Sequence, residues 1–343
     1  MQKSTLIKIG KRVLQIGLPI VILGFFLSFI LSQWKQLVAH PFQWNPWLIA
    51  LAFCGFMLQE LSYGLIWQAV LARLGARLDL KTALRIYLAS EFVRYIPGNV
   101  WHVLARILWV GKYGVSRPIA FASMTVELIT KLAAGALIFA CSLLFWGSIG
   151  TVSTLLVGKA LIIGLSIVLL IALFVILHPR ILGTLLNTAL RLLKKEPITL
   201  TLRYSDILLV TVAWCVSWIV AGTAFYILTL ALWPTLPLAA LPICIGIYAI
   251  AWDIGFVSFI TPSGLGFREV TIGGLFALSL PMLPLTLGSI IAILSRVVST
   301  LAELLCVSIA YLAGRQQMRT MQQEQLTKTS SQLPVEGGIV HEQ

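Results

Sequence analysis

The feature that most constrains this chain is the recurrence of apolar runs of about twenty residues. At about 1.5 Å per helical residue such a run crosses the ~30 Å hydrocarbon layer of a bilayer. The runs fall near residues 13–32, 47–71, 118–146, 156–178, 207–233, 239–260 and 285–313. Of the residues 59% are hydrophobic and 11% charged, against about 45–50% and about 25% in a soluble domain. No single globular core could hide them all. The pattern predicts an all-α, polytopic helical membrane protein with about seven or eight spans. A soluble enzyme, a secreted disulfide scaffold and a disordered protein are excluded as readings of the whole chain.

Charge sorts the connectors. The formal net charge is +13, which in a soluble protein would point to nucleic acid. Here the basic residues cluster between spans: Arg73, Arg77, Lys81, Arg85, Arg94, Arg106, Lys112 and Arg117 in 72–117, and Arg180, Arg191, Lys194, Lys195 and Arg203 in 179–206. Segments 147–155 and 234–238 carry no charge. The positive-inside rule places the basic connectors in the cytoplasm, so no nucleic-acid partner is expected. Lys3, Lys8, Lys11 and Arg12 precede a run longer than a signal-peptide core, giving a retained first span with a cytoplasmic N-terminus. Arg315 and Arg319 favour a cytoplasmic C-terminus, and the expected location is the cell membrane. Residues 180–195 alternate Leu and Arg/Lys at helical spacing, as an amphipathic interfacial helix does. Residues 1–315 then form an integral membrane domain, with a disordered polar tail over 316–343.

The residues offer little for covalent chemistry. The five cysteines lie singly in apolar stretches and the four histidines are scattered, so neither a metal nor another cofactor is expected. There is no Ser-His-Asp grouping and no Walker loop. The chain is read as a non-enzyme.

Two segments, near 86–110 and 261–283, break the hydropathy pattern alike. The first contains Glu91, Arg94, Pro97, Gly98, Asn99, Trp101 and Arg106; the second contains Pro262, Gly264, Gly266, Arg268 and Glu269. Proline removes a backbone donor and glycine tolerates positive φ, so helices stop and restart there. Irregular backbone at membrane depth persists only beside a protein-buried or water-filled cavity. Paired breaks in two halves are the sequence pointer to a transporter-type site. A restarted helix and its arginines would suit phosphate. The other reading is of ordinary loops whose arginines anchor to lipid headgroups.

Ionisable residues inside spans are the second signal, because a charge at the bilayer centre costs about 2.5–3.5 kcal/mol on insertion scales. Glu127 and Lys131 are spaced i,i+4, and Arg296, Ser299, Thr300 and Glu303 make one polar stripe. Asp253 and Glu60 are further intramembrane acids. These groups either line a pathway or neutralise one another to fix helix packing. The many aromatic residues show no spacing beyond lipid and bundle packing.

At these residues the chain resembles the lysylphosphatidylglycerol synthase/flippase transmembrane-region family. The resemblance rests on Tyr95-Ile-Pro97-Gly98-Asn-Val-Trp101 continuing to Arg106, on Gly111-Lys-Tyr-Gly114-Val-Ser116, on Glu127, and on Pro262-Ser-Gly264-Leu-Gly266-Phe-Arg268-Glu269. It implies an all-helical domain that moves lipids, or lipid-linked groups, between leaflets. Membrane lipids would be its partners, with Arg106 and Arg268 on phosphate. In the synthase this domain precedes a soluble aminoacyl transferase domain, where this chain has a short polar tail; lipid synthesis is therefore not implied. The alternative is a non-transporting accessory subunit of a lipid or glycan biosynthetic enzyme.

Overall fold

The computed structural model describes residues 44–91, 93, 101–146, 158–192, 202–258, 264, 266–280, 283 and 285–331. All regular structure among them is helical: α1 Pro46–Arg73, α2 Leu80–Glu91, α3 Trp101–Gly111, α4 Arg117–Trp146, α5 Gly158–Ile176, α6 Pro179–Leu192, α7 Tyr204–Leu232, a 3₁₀ turn Leu238–Ala240 leading into α8 Leu241–Val257, α9 Phe267–Ser279 and α10 Leu285–Ser331. The all-α class expected from hydropathy holds. Among the described residues, five helices are long and apolar enough to cross a membrane. Ser166–Ile176 and Pro179–Thr188, bent by 67° at the break, would make a sixth if they form one span. The expected first span, 13–32, lies outside the described residues, as do Arg94, Pro97, Gly98, Asn99 and Pro262.

Helix ends follow local chemistry. Asn45 accepts from the N–H groups of Trp47 and Leu48, and Pro46 needs no partner at the first helical position. Asp79 accepts from Thr82 N–H at 2.9 Å as α2 begins. The outer faces remain apolar: Leu51, Leu58, Leu65, Ile167, Ile171, Val212, Val216, Leu305 and Ile309 are all exposed. A surface of that kind in water would aggregate; against acyl chains it is the expected boundary.

The core lies between α1, α4, α7 and α8, where Phe56, Trp67, Trp214, Trp218, Phe225 and Tyr248 are fully buried. Small residues let α8 approach closely. A Cβ on Gly222 would strike Ile245, one on Gly246 would strike Ser142, and one on Gly135 would strike Asp253.

α1 and α7 run antiparallel. Asn45 N–H donates to Ala231 O at one end, and Arg73 pairs with Asp206 at 3.4 Å at the other. That pair brings both basic connectors to one end of the bundle, opposite the uncharged turn at 234–238.

The two broken segments fold as hairpins entering from opposite ends. At the basic end, α2 runs inward and α3 returns beside it. Glu91 and Ser90 bond Arg106, and nearer the entrance Arg85 donates to Tyr113 at 2.6 Å. From the uncharged end α8 runs inward, and α9 returns antiparallel to α10, pairing Glu269 with Arg296 and facing Gly273 toward Ser289.

Two sequence expectations change. The apolar face of α6, expected in the membrane interface, is partly spent on the protein: Leu186 and Leu190 pack on Ala122, Phe121 and Leu74. α10 continues through Gln316–Ser331, which composition had placed in a disordered tail. Gln, Met, Arg, Glu and Lys propagate a helix that is already nucleated, and this stretch contains no Pro or Gly.

Candidate functional site

The hairpin tips carry charge into the bundle. Glu127 lies ten residues into α4 and Arg296 eleven into α10, so each is about 15 Å from its own membrane end, near the middle of the layer.

The first cluster is saturated. Arg106, 1% exposed, donates from Nη1 to Glu127 at 2.8 Å, from Nη2 to Glu91 at 2.6 Å and from Nε to Ser90 at 2.9 Å. Tyr87 hydroxyl donates to the other Glu127 oxygen at 2.8 Å, and the guanidinium carbon sits 3.7 Å from the Tyr87 ring centroid. Three donor directions meet three acceptors, which is the condition for a stable buried charge. One turn on, Lys131 points its ammonium at the rings of Tyr63, Trp252 and Trp214. Asp253 is close enough to Lys131 to interact with it and is packed against Gly135. Between these groups a cavity of about 20 Å³ is lined by Tyr87, Glu91, His102, Glu127, Lys131, Trp252 and Phe256. It is polar on one side and has room for about one water.

The second cluster is built with the opposite charge order. Here the acid of the short helix meets the base of the long one: Glu269 accepts from Arg296 at 3.2 Å. Its other oxygen accepts from Gly266 N–H at 2.7 Å, capping α9. Gly264 and Gly266 have φ of +68° and +88°, and a Cβ on Gly264 would strike the Gly255 backbone. Glycine is therefore required at 264 on two counts. With Glu269 committed, Arg268 is left beside the Tyr248 ring, 4.6 Å from its centroid. Its Nε and Nη2 are buried with no hydrogen-bond partner, and the residue is 8% exposed. Arg268 is also the second residue of α9, at the positive end of the helix dipole. Tyr248 adjoins Ser299 and Glu60, and Glu303 is buried nearby.

The described sequence-predicted residues thus gather around two networks. Glu91, Arg106 and Glu127 form one network, and Glu269 with Arg296 another. Lys131 and Asp253 adjoin the first, Arg268 precedes Glu269 at the start of α9, and Thr300 and Glu303 are buried further along α10. Trp101 is half exposed at the start of α3. Two expectations shift. The oxygens of Glu127 go to Arg106 and Tyr87, and each of the three nitrogens of Arg106 already holds an acceptor within the fold, so in this structure it ties the hairpin together. Sequence reasoning missed Tyr63, Tyr87, Trp214, Tyr248 and Trp252. The available signal was spacing: Trp214 with Trp218, and Tyr248 with Trp252, are each one turn apart.

Buried ion networks at mid-bilayer, two helical hairpins broken at their tips and a lipid-facing apolar surface define a polytopic membrane protein with a polar interior. The chain belongs to the lysylphosphatidylglycerol synthase TM region family, which it matches over residues 14–306. No curated protein matches the chain. Membership makes it a membrane protein of lipid-related function.

Proposed function

We propose that this protein moves lipids, or lipid-linked groups, between leaflets without an ATPase of its own. The observation that carries the reading is Arg268. A buried guanidinium with two unspent donors costs several kcal/mol unless a counter-charge completes it. Its position at a helix N-terminus favours an anion as well. A headgroup phosphate supplies both the charge and the bidentate geometry. The headgroup would cross along the polar residues between the hairpins, with Arg106 holding the first hairpin rigid and the acyl chains remaining in the bilayer. We assign the chain no bond-making chemistry.

The test is leaflet exchange in proteoliposomes containing only this protein and labelled anionic or aminoacylated phospholipids. Exchange should depend on the protein and be lost in Arg268→Ala while the variant remains monodisperse. Unchanged exchange in Arg268→Ala would reject the role given to that residue. A folded wild-type protein that exchanges no lipid, yet co-purifies with a lipid or glycan biosynthetic enzyme, would favour the accessory-subunit reading.

A further inference from the structure

Lys131 is held in a way the arginines are not. Its Nζ lies 3.6 Å from the centroid of Tyr63, 4.0 Å from that of Trp252 and 5.0 Å from that of Trp214. The three rings come from α1, α8 and α7 and are themselves fixed. Tyr63 hydroxyl accepts from Gln59 Nε2 at 2.6 Å, and the Tyr63 ring lies 5.2 Å from Trp214. Trp252 stacks on Phe256 at 5.4 Å and meets the edge of Trp218 at 5.3 Å. Rings converging on one ammonium are the arrangement that recognises alkylated ammonium groups. Asp253 lies beside it, and the water-sized cavity opens next to it toward Glu91 and Glu127.

The cage is also next to the anion seat. Tyr248 and Trp252 stand four residues apart on α8, about one turn or 5–6 Å along its axis. The first faces Arg268 and the second Lys131. On α1, Glu60 and Tyr63 repeat this division, Glu60 beside Tyr248 and Tyr63 beside Lys131.

We propose that the cage of Tyr63, Trp214 and Trp252 is the ammonium seat of a zwitterionic headgroup whose phosphate rests on Arg268. Lys131 is its tethered occupant. An incoming alkylammonium displaces the lysine, whose four-carbon stem swings into the adjoining cavity toward Glu91 and Glu127. This rests on the lipid-moving reading for the source of the headgroup, but binding can be measured without any movement between leaflets.

The experiment uses the full chain in a maltoside detergent. It is titrated at matched ionic strength with glycerophosphocholine, tetramethylammonium chloride and inorganic phosphate, and read by thermal unfolding and tryptophan fluorescence. Glycerophosphocholine should bind the wild type, bind Lys131→Met roughly tenfold more tightly because the internal competitor is gone, and bind Trp252→Leu roughly tenfold more weakly. Inorganic phosphate should be indifferent to Trp252→Leu and lost in Arg268→Ala. Glycerophosphocholine binding that ignores Trp252→Leu would overturn the proposal, as would weaker binding by a natively melting Lys131→Met. If Lys131→Met does not fold, Trp252→Leu with Lys131 in place decides. No binding by any folded form also overturns it, while exchange of anionic lipids in proteoliposomes would leave the lipid-moving reading standing.

Discussion

Two arginines that look alike in sequence should respond to the same substitution with opposite signs. Arg106→Met removes the shared partner of Glu91 and Glu127 and leaves two carboxylates, 3% and 5% exposed, without their counter-ion. Breaking a buried pair from one side costs about 3–5 kcal/mol, and the loss of the bond to Ser90 adds to it. Arg268→Met instead removes two donors that have no acceptor. An unmade buried hydrogen bond costs about 1–3 kcal/mol per group, offset by the lost contact with Tyr248, about 0.5–2 kcal/mol. The variant should lie between neutral and about 5 kcal/mol more stable than the wild type. Reversible unfolding by SDS in maltoside micelles, followed by circular dichroism, measures both. Adding Glu91→Gln and Glu127→Gln to Arg106→Met should restore much of the loss, because the stranded charges are then gone. A loss of 2 kcal/mol or more in Arg268→Met, on the scale of a broken buried pair, would refute the reasoning by showing that Arg268 is already satisfied within the fold.

Two further substitutions test the packing and the helix starts. Gly135→Ala should destabilise by about 1–3 kcal/mol through the clash with Asp253. Gly164→Ala on the exposed face of α5, with open space around it, should gain about 0.5–1 kcal/mol; thermal melts of the pair decide, and equal shifts would sink the packing argument. Asp79→Ala should cost about 1 kcal/mol at neutral pH as a lost helix cap. The Thr82 N–H, with help from the Thr82 side chain, holds the Asp79 carboxyl below its ordinary 3.8. A carboxyl depressed in the folded state stabilises fully above its unfolded pKa and loses that contribution as pH falls through the folded one. Wild type and variant should therefore differ at pH 7 and draw together only as pH falls below the ordinary 3.8 toward the folded-state value, and a gap undiminished at about pH 2 would contradict the cap.

How much of this was legible follows from which forces act locally. Apolar runs and Pro/Gly breaks are properties of a few consecutive residues, so the helical class and the two breaks could be read directly. Pairing is not local. The i,i+4 rule joins Glu127 to Lys131, yet the oxygens of Glu127 are taken by Arg106 and Tyr87 from a hairpin that folds in from earlier in the chain. Nothing in Arg106 or Arg268 taken alone says which will find acceptors; the fold decides by aiming Glu91 at one and Glu269 away from the other. The aromatic cage was hidden for a different reason. In a chain with eleven tryptophans, rings that belt the interface and rings that surround a cation differ only in which way their helix faces turn. The helical continuation to Ser331 was obscured because polar composition, read as disorder, is equally the composition of an exposed helix growing from a stable one.

The two hairpins repeat one plan and differ at one decisive point. Nine positions separate α2 from α3 and nine separate α8 from α9, and in each half a short helix is followed, across five positions, by a long one. In each, an ion pair near mid-bilayer ties the short helix to the long one. The sign of that pair is exchanged: base to acid in the first half, acid to base in the second. In the first half the base sits past the first turn of α3, where it closes the hairpin on itself. In the second, the acid takes over both the cap and the ion pair, and the neighbouring base is stranded at the positive end of α9. On the proposed reading this asymmetry has a mechanical meaning. A headgroup that must arrive and leave cannot be held by a saturated network, because every bond it made would first have to be broken elsewhere. It can be held by a cation whose Nε and Nη2 have no acceptor to release, framed by a hairpin stiff enough to keep it buried. The saturated half supplies the frame, and the exchanged charge order frees Arg268 to bind.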